Sequence, residues 1–133
     1  MKIFSRRAFL GIGSFLPFLS FKNSTRSTMK KQQVVHHVFF WLKNPDSSAD
    51  ILKLKEGLKT LEPIKEVKKL LIGEPASTLE REVVVNDWQV TEIMYFDSIE
   101  DQDIYQTHPI HQAFVEKYSY LWNKVMVFDT LVD

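Results

Sequence analysis

The chain has 133 residues, 44% of them hydrophobic and 26% charged, with no cysteine and a formal net charge of zero. That is room for one domain of ordinary globular composition, which excludes collagen-like, disulfide-framed and wholly disordered chains. The missing thiols also exclude zinc–thiolate sites and cysteine nucleophiles. No apolar run reaches the ~20 residues of a membrane-spanning helix. The neutral total conceals a division. Residues 1–29 carry five basic residues (Lys2, Arg6, Arg7, Lys22, Arg26) and no acidic one, leaving twelve basic against seventeen acidic beyond them, a net of −5.

Residues 1–29 have the three-part layout of an export signal: a cationic start, an apolar stretch from Ala8 to Phe21, and a polar tract from Lys22 to Thr28. Within it, Ser5-Arg6-Arg7-Ala8-Phe9-Leu10 resembles the twin-arginine export motif, an address read by a receptor. The resemblance implies recognition of Arg6 and Arg7 by the twin-arginine machinery and a periplasmic or otherwise extracytoplasmic destination. No small-x-small cleavage site follows the apolar stretch; an uncleaved signal would leave a membrane tether. The folded unit is therefore expected over residues 30–133.

Val34 to Leu42 is β-branched and aromatic, as a buried strand should be. Period two places His36, Val38, Phe40 and Leu42 on one face and Val35, His37, Phe39 and Trp41 on the other, so both faces need cover. Asn44 to Ser48 breaks the strand and supplies a helix cap, with Asp50 in the first turn. Ile51, Leu54, Leu58 and Leu61 then recur at helical spacing until Pro63. A second strand runs from Val67 to Ile72, and a third from Trp88 to Phe96. Ser98 caps a short helix with Glu100 and Asp101 in its first turn. Pro109 restarts a helix to about Trp122, and Val125 to Leu131 forms the last strand. The order β-α-β-β-α-β is the split βαβ of a ferredoxin-like α+β domain. So small a unit cannot leave an apolar sheet face open to water, and the second face is expected to bury itself against a copy in a symmetric homodimer.

The four histidines fall in two pairs, His36-His37 on the first strand and His108 with His111 around Pro109. Proline fits the first position of a helix, which puts His108 at the cap and His111 in the first turn. The helix dipole disfavours an imidazolium there, so His111 should be neutral at pH 7 and able to accept a proton. Tyr105, just upstream, is placed to orient a carbonyl or hydroxyl.

Two blocks, Val35-His36-His37-Val38-Phe39-Phe40-Trp41-Leu42-Lys43 and Tyr105-Gln106-Thr107-His108-Pro109-Ile110-His111-Gln112-Ala113-Phe114, stand with a closing Val125-Met126-Val127-Phe128-Asp129. Together they resemble the stress-responsive A/B barrel (Dabb) family over the whole stretch from Val34 onward. The resemblance implies a ferredoxin-like protomer forming a dimeric α+β barrel. The family includes a plant polyketide cyclase that works with a tyrosine and a histidine, which match Tyr105 and His111, while His36 matches a histidine lining its cavity. The implied chemistry is a cofactor-free condensation with His111 as base and Tyr105 holding the developing oxyanion.

The expected site is a pocket between sheet and helices, with His111 and Tyr105 as catalytic residues and His36, Val38, Phe40 and His108 as ligand contacts. It would take a small apolar or aromatic molecule bearing an oxygen, with no metal and no cofactor. A lyase, cyclase or isomerase is one reading; a non-catalytic, stress-associated binding or structural dimer is the other. An open pocket would favour the first, and one filled by Phe40, Phe114 or Trp122 the second. A metal held by His108 and His111, with His36 or Glu92 as third ligand, is a weaker alternative. Nucleic acid is not an expected partner, because the folded part is acidic. No phosphate-binding glycine loop or Gly-x-Ser-x-Gly motif is present.

Overall fold

The computed structural model describes residues 32–133; the export signal read from residues 1–29 lies outside them. Strand β1 (Gln33–Leu42) is followed by helix α1 (Ser48–Lys59), strands β2 (Lys69–Gly73) and β3 (Val90–Phe96), and helices α2 (Ile99–Thr107) and α3 (Pro109–Tyr118). A 3-10 turn (Ser119–Leu121) leads into strand β4 (Trp122–Val132). The sheet is antiparallel, with order β2-β3-β1-β4, so β1 sits between the two strands farthest from it in sequence. This is the ferredoxin-like α+β fold, with its second helical crossover divided at His108-Pro109.

The helix starts are set by side chains. Ser47 accepts a hydrogen bond from the Asp50 amide (3.2 Å) and Ser98 one from the Asp101 amide (3.1 Å), satisfying donors that have no partner inside their helices. The alternation in β1 is realised throughout: Val34, His36, Val38, Phe40 and Leu42 are buried under the helices, while Val35, His37, Phe39 and Trp41 are half-buried on the outer face. Leu54, Leu58, Leu61 and Ile64 pack with Val90, Met94 and Phe96 as the centre of the core, each no more than 1% exposed. Gly57 lies where α1 meets α3. A Cβ there would stand 2.8 Å from the Tyr118 ring, so the close approach of the two helices needs the missing side chain.

Several boundaries differ from expectation: the second strand begins at Lys69 instead of Val67, and the last at Trp122 instead of Val125. The last helix ends at Tyr118, not Trp122, because the sheet claims the following residues: the Lys43 amide donates to the Leu121 carbonyl (2.9 Å), and Trp122 pairs with Leu42 at a register shift. Its ring stands edge-on to Phe40 at 5.1 Å. The third strand begins at Val90, because Trp88 and Gln89 belong to the crossing loop; the Trp88 indole donates to the Val85 carbonyl (2.9 Å), and the Gln89 side chain accepts from the Leu42 amide (2.8 Å).

The loop 74–89 lays Trp88 against Phe39, with ring centroids 5.0 Å apart, and so covers one end of the outer sheet face. Elsewhere that face stays open, with Leu71, Met126 and Phe128 exposed, Phe128 by 52%. Strand β4 is also exposed toward the helices at Val125, Val127 and Leu131. Among the described residues, no helix is long and apolar enough to cross a membrane.

Candidate active site

Register builds the site from the sheet outward. On the helix-facing side, His36 stands between Met94 of β3 and Asp129 of β4, and Val38 stands between Glu92 and Val127. Ile72 completes the second row on the far side of Glu92. Directly opposed residues of an antiparallel pair share a face at roughly 4.5–5.5 Å, so these side chains form one surface. Helix α3 lies over the β1–β4 half of it. Between them opens a cleft of about 320 Å³ lined by His36, Val38, Phe40, Glu92, His111 and Trp122, among others.

Pro109 occupies the first turn of α3, and His108 is its N-cap, its Nδ1 accepting a hydrogen bond from the Ile110 amide (3.1 Å). That bond commits His108 to the helix start, and it does not line the cleft. His111 does, one turn on. Its Nδ1 lies 3.0 Å from the Gln106 carbonyl oxygen, an atom that can only accept, so Nδ1 carries the proton. In the neutral ring this leaves Nε2 as a free lone pair. Desolvation by the cleft walls is the main cause that lowers the His111 pKa below its ordinary 6.5; the bond to Gln106 pulls the other way, and His36 and His108 lower it slightly more. The imidazole is thus neutral near pH 7, as expected for its place in the first turn, with burial the largest cause.

Tyr105 is fully buried and forms the wall behind the cleft instead of its surface. Its ring lies 4.6 Å from that of His111, 5.2 Å from Phe96 and 5.8 Å from His36. The hydroxyl has no hydrogen-bond partner. Burial, and then the neighbouring Glu92 carboxyl, push its pKa well above the usual phenol value, so it stays protonated. The expected convergence of His111 and Tyr105 is present as ring packing, with only His111 reaching the open space.

His36 Nδ1 lies 2.5 Å from Asp129 Oδ1. A carboxylate can only accept, so the imidazole donates there and turns Nε2 away from Asp129. Val38 and Phe40 are where their alternation places them, as apolar wall. His37 faces the opposite way, its Nε2 3.0 Å from Thr91 Oγ1, whose own proton goes to the Val38 carbonyl (2.7 Å). Phe40, Phe114 and Trp122 wall the cleft without filling it.

Glu92 is the residue that motif reading undervalued. It is 3% exposed, its Oε2 has no hydrogen-bond partner, and burial raises its pKa from 4.5 to about 8. The signal was present in the strand pattern, since period two puts Glu92 in phase with Val90, Met94 and Phe96 and hence on the buried face. The partnership of Asp129 with His36 was not foreseeable, because it depends on the β1–β4 register. Among the described residues, no group of three His, Cys, Asp or Glu side chains is arranged to hold a metal ion.

A ferredoxin-like sheet with an apolar cleft under its paired helices, carrying a neutral imidazole and a buried carboxyl, defines a small α+β domain equipped for binding or acid–base work. The sequence profile of the stress responsive A/B barrel domain matches residues 34–132, and the chain belongs to that family. Among solved structures, a Dabb family protein from Mesorhizobium loti superposes with a TM-score of 0.64 at 21% identity, over 77% of this chain and 99% of the other. A hydroxynitrile lyase from Passiflora edulis gives 0.65 at 19% identity, over 77% and 94%. A dimeric ferredoxin-like protein of unknown function from Thermobifida fusca gives 0.62 at 14% identity, over 77% and 93%. No curated protein sequence matches the chain significantly.

Proposed function

We propose that this Dabb protein is a cofactor-independent acid–base enzyme of the lyase, cyclase or isomerase kind, acting on a small apolar molecule that bears an oxygen. The observation that carries the reading is the state of His111: Nδ1 is tied to the Gln106 carbonyl, Nε2 is free, and the ring is held neutral inside an apolar cleft. A base poised in this way accepts a proton from a bound hydroxyl or an acidic C–H group, and the low polarity of Val38, Phe40, Phe114 and Trp122 strengthens every charge that develops. A hydroxynitrile lyase on the same fold is in keeping with this chemistry.

The test is a thermal-shift screen of the purified protein against small aromatic ketones, aldehydes and phenols, with His111→Ala beside it. A binder specific for the native state raises the midpoint. Stabilisation lost in a variant of unchanged intrinsic stability supports the reading. No shift with any compound, combined with a strongly destabilised variant, makes His111 a piece of architecture and leaves the non-catalytic dimer in its place.

Two further parts complete the proposal. The open outer sheet face, with Met126 and Phe128 exposed on it, is buried against a second copy to form a dimeric barrel; the ferredoxin-like protein from Thermobifida fusca is described as dimeric. The chain is exported by the twin-arginine route, on the strength of Arg6 and Arg7 ahead of the apolar stretch. Replacing both arginines by lysine should leave the precursor in the cytoplasm, and unchanged export would refute that route.

A further inference from the structure

Among the residues lining the cleft, one side-chain polar atom is both buried and without a hydrogen-bond partner. Glu92 enters it from the central region of the sheet, between Ile72 on one side and Val38 on the other, so its cross-strand neighbours are both aliphatic. Its Oε2 is buried and unpartnered, in a protein where buried polar atoms ordinarily find a hydrogen bond. The residues lining the cleft include no lysine or arginine, and they include a second carboxylate, Asp129, already engaged by His36. An ionised Glu92 would face aliphatic cross-strand neighbours, the protonated Tyr105 hydroxyl behind the cleft and a second carboxylate, with no lysine or arginine in the lining. In its neutral form the same group is a hydrogen-bond donor in the wall of a largely apolar space. A leucine or methionine would fill the position without that desolvation cost, so the carboxyl is an unfavourable residue here unless something in the cleft accepts from it.

Resting on the reading of His111 as the base of this cleft, we infer that Glu92 donates to the oxygen of a small, neutral, apolar carbonyl compound and acts as the general acid opposite His111. The substrate class follows from complementarity. A ketone or aldehyde oxygen accepts the Oε2 proton while the rest of the molecule meets Val38, Phe40, Phe114 and Val127. A carboxylate would bring a second negative group beside Asp129 and would offer no neutral acceptor for the Glu92 proton. A hydrocarbon of the same shape would leave Oε2 without a partner.

The step balances without any other reagent. His111 Nε2 takes a proton from the carbon next to the carbonyl, and the electron pair of that C–H bond becomes the new C=C bond. The carbonyl π pair moves onto the oxygen, which takes the proton from Glu92. The products are an enol, an imidazolium on His111 and a carboxylate on Glu92, and the reverse step restores all three. Tyr105, buried behind the cleft with its hydroxyl protonated, is no donor to the substrate in this arrangement; it backs the His111 ring.

The experiment uses the full chain with four probes of one shape: acetophenone, ethylbenzene, benzoate and benzylamine. Binding is read by thermal shift and ligand-observed NMR, and chemistry by deuterium uptake into the acetophenone methyl group in D2O. Wild type should prefer acetophenone to ethylbenzene by about tenfold, the worth of one buried hydrogen bond. Glu92→Met, which keeps the volume and removes the donor, should erase that preference. Glu92→Gln keeps a donor but cannot give up a proton, so it should keep the preference and slow deuterium uptake by roughly 100-fold or more. His111→Gln should keep the preference and abolish uptake. Unchanged uptake in His111→Gln defeats the base assignment alone, because the ketone preference is read separately. A preference that survives in Glu92→Met, or a wild type that favours ethylbenzene, benzoate or benzylamine over acetophenone, overturns the role given to Glu92.

Discussion

Replacing Glu92 by glutamine should change how the stability of the fold depends on pH. Burial lifts this carboxyl from 4.5 to about 8, so between those values the native state holds a proton that the unfolded chain has released. Stability then falls as pH rises, because the slope follows the difference in protons bound by the unfolded and native states. The contribution is fully present below pH 4.5 and gone above about 8. At ~1.4 kcal/mol per pH unit the whole span amounts to about 5 kcal/mol, of which roughly 2–3 kcal/mol falls between pH 5 and pH 7. Glutamine cannot titrate. Whatever constant cost its amide brings, the stability difference between variant and wild type should shift in the variant's favour by that roughly 2–3 kcal/mol across the two pH units. The neighbouring His36, His111 and Tyr105 are common to both proteins, so their contributions largely cancel. Urea denaturation at a series of pH values, followed by circular dichroism, measures it. Parallel stability curves would show that the carboxyl titrates alike in folded and unfolded chains, and would remove the argument that it is neutral in the cleft.

The remaining expectations are simpler. In a 15N NMR titration, His111 should titrate below 6.5 with its proton on Nδ1; the native state then holds fewer protons than the unfolded one, so this residue costs stability as pH falls through 6.5. A proton on Nε2 would contradict the bond to Gln106. His108→Ala should cost roughly 1 kcal/mol through loss of the α3 cap, and His108→Asn should restore most of it; an unchanged denaturation midpoint in the alanine variant would deny the capping role. Phe128→Glu places a charge on the open sheet face at a position already 52% exposed. It should leave the protomer folded and give a monomer by sedimentation, whereas an unaltered dimer would move the interface elsewhere.

Period two in Val34–Leu42 was enough to separate the strand's two faces, and cap signals at Ser98, at His108 and within Asn44–Ser48 marked three helix starts. Those features are local, and local chemistry decides them. The C-terminal end of α3 and the start of β4 were misjudged because Trp122 is decided by its pairing with Leu42, some eighty residues away in sequence. The site divides along the same line. His111 and its position in the first turn were readable from His-Pro-x-His. That Asp129 accepts from His36 and that Glu92 stands between Ile72 and Val38 are consequences of cross-strand register, and that Tyr105 stands behind the surface follows from how α2 packs on the sheet; a single strand's pattern contains none of this.

The missing side chain at Gly57 reaches farther than the helix contact it permits. Tyr118, the ring it accommodates, stacks on Phe114 at 5.6 Å; Phe114 stacks on His111 at 6.5 Å, and His111 leans on Tyr105 at 4.6 Å. These four rings make a column whose footing is a hydrogen atom on α1 and whose third ring, held between Phe114 and Tyr105, is the imidazole. Interiors packed to crystal-like density transmit displacement. The aim of Nε2 is thus levelled from the opposite side of α3, by a residue that touches nothing in the cleft. One added methyl group at the base of the column would tilt the imidazole while leaving every group in the cleft chemically intact.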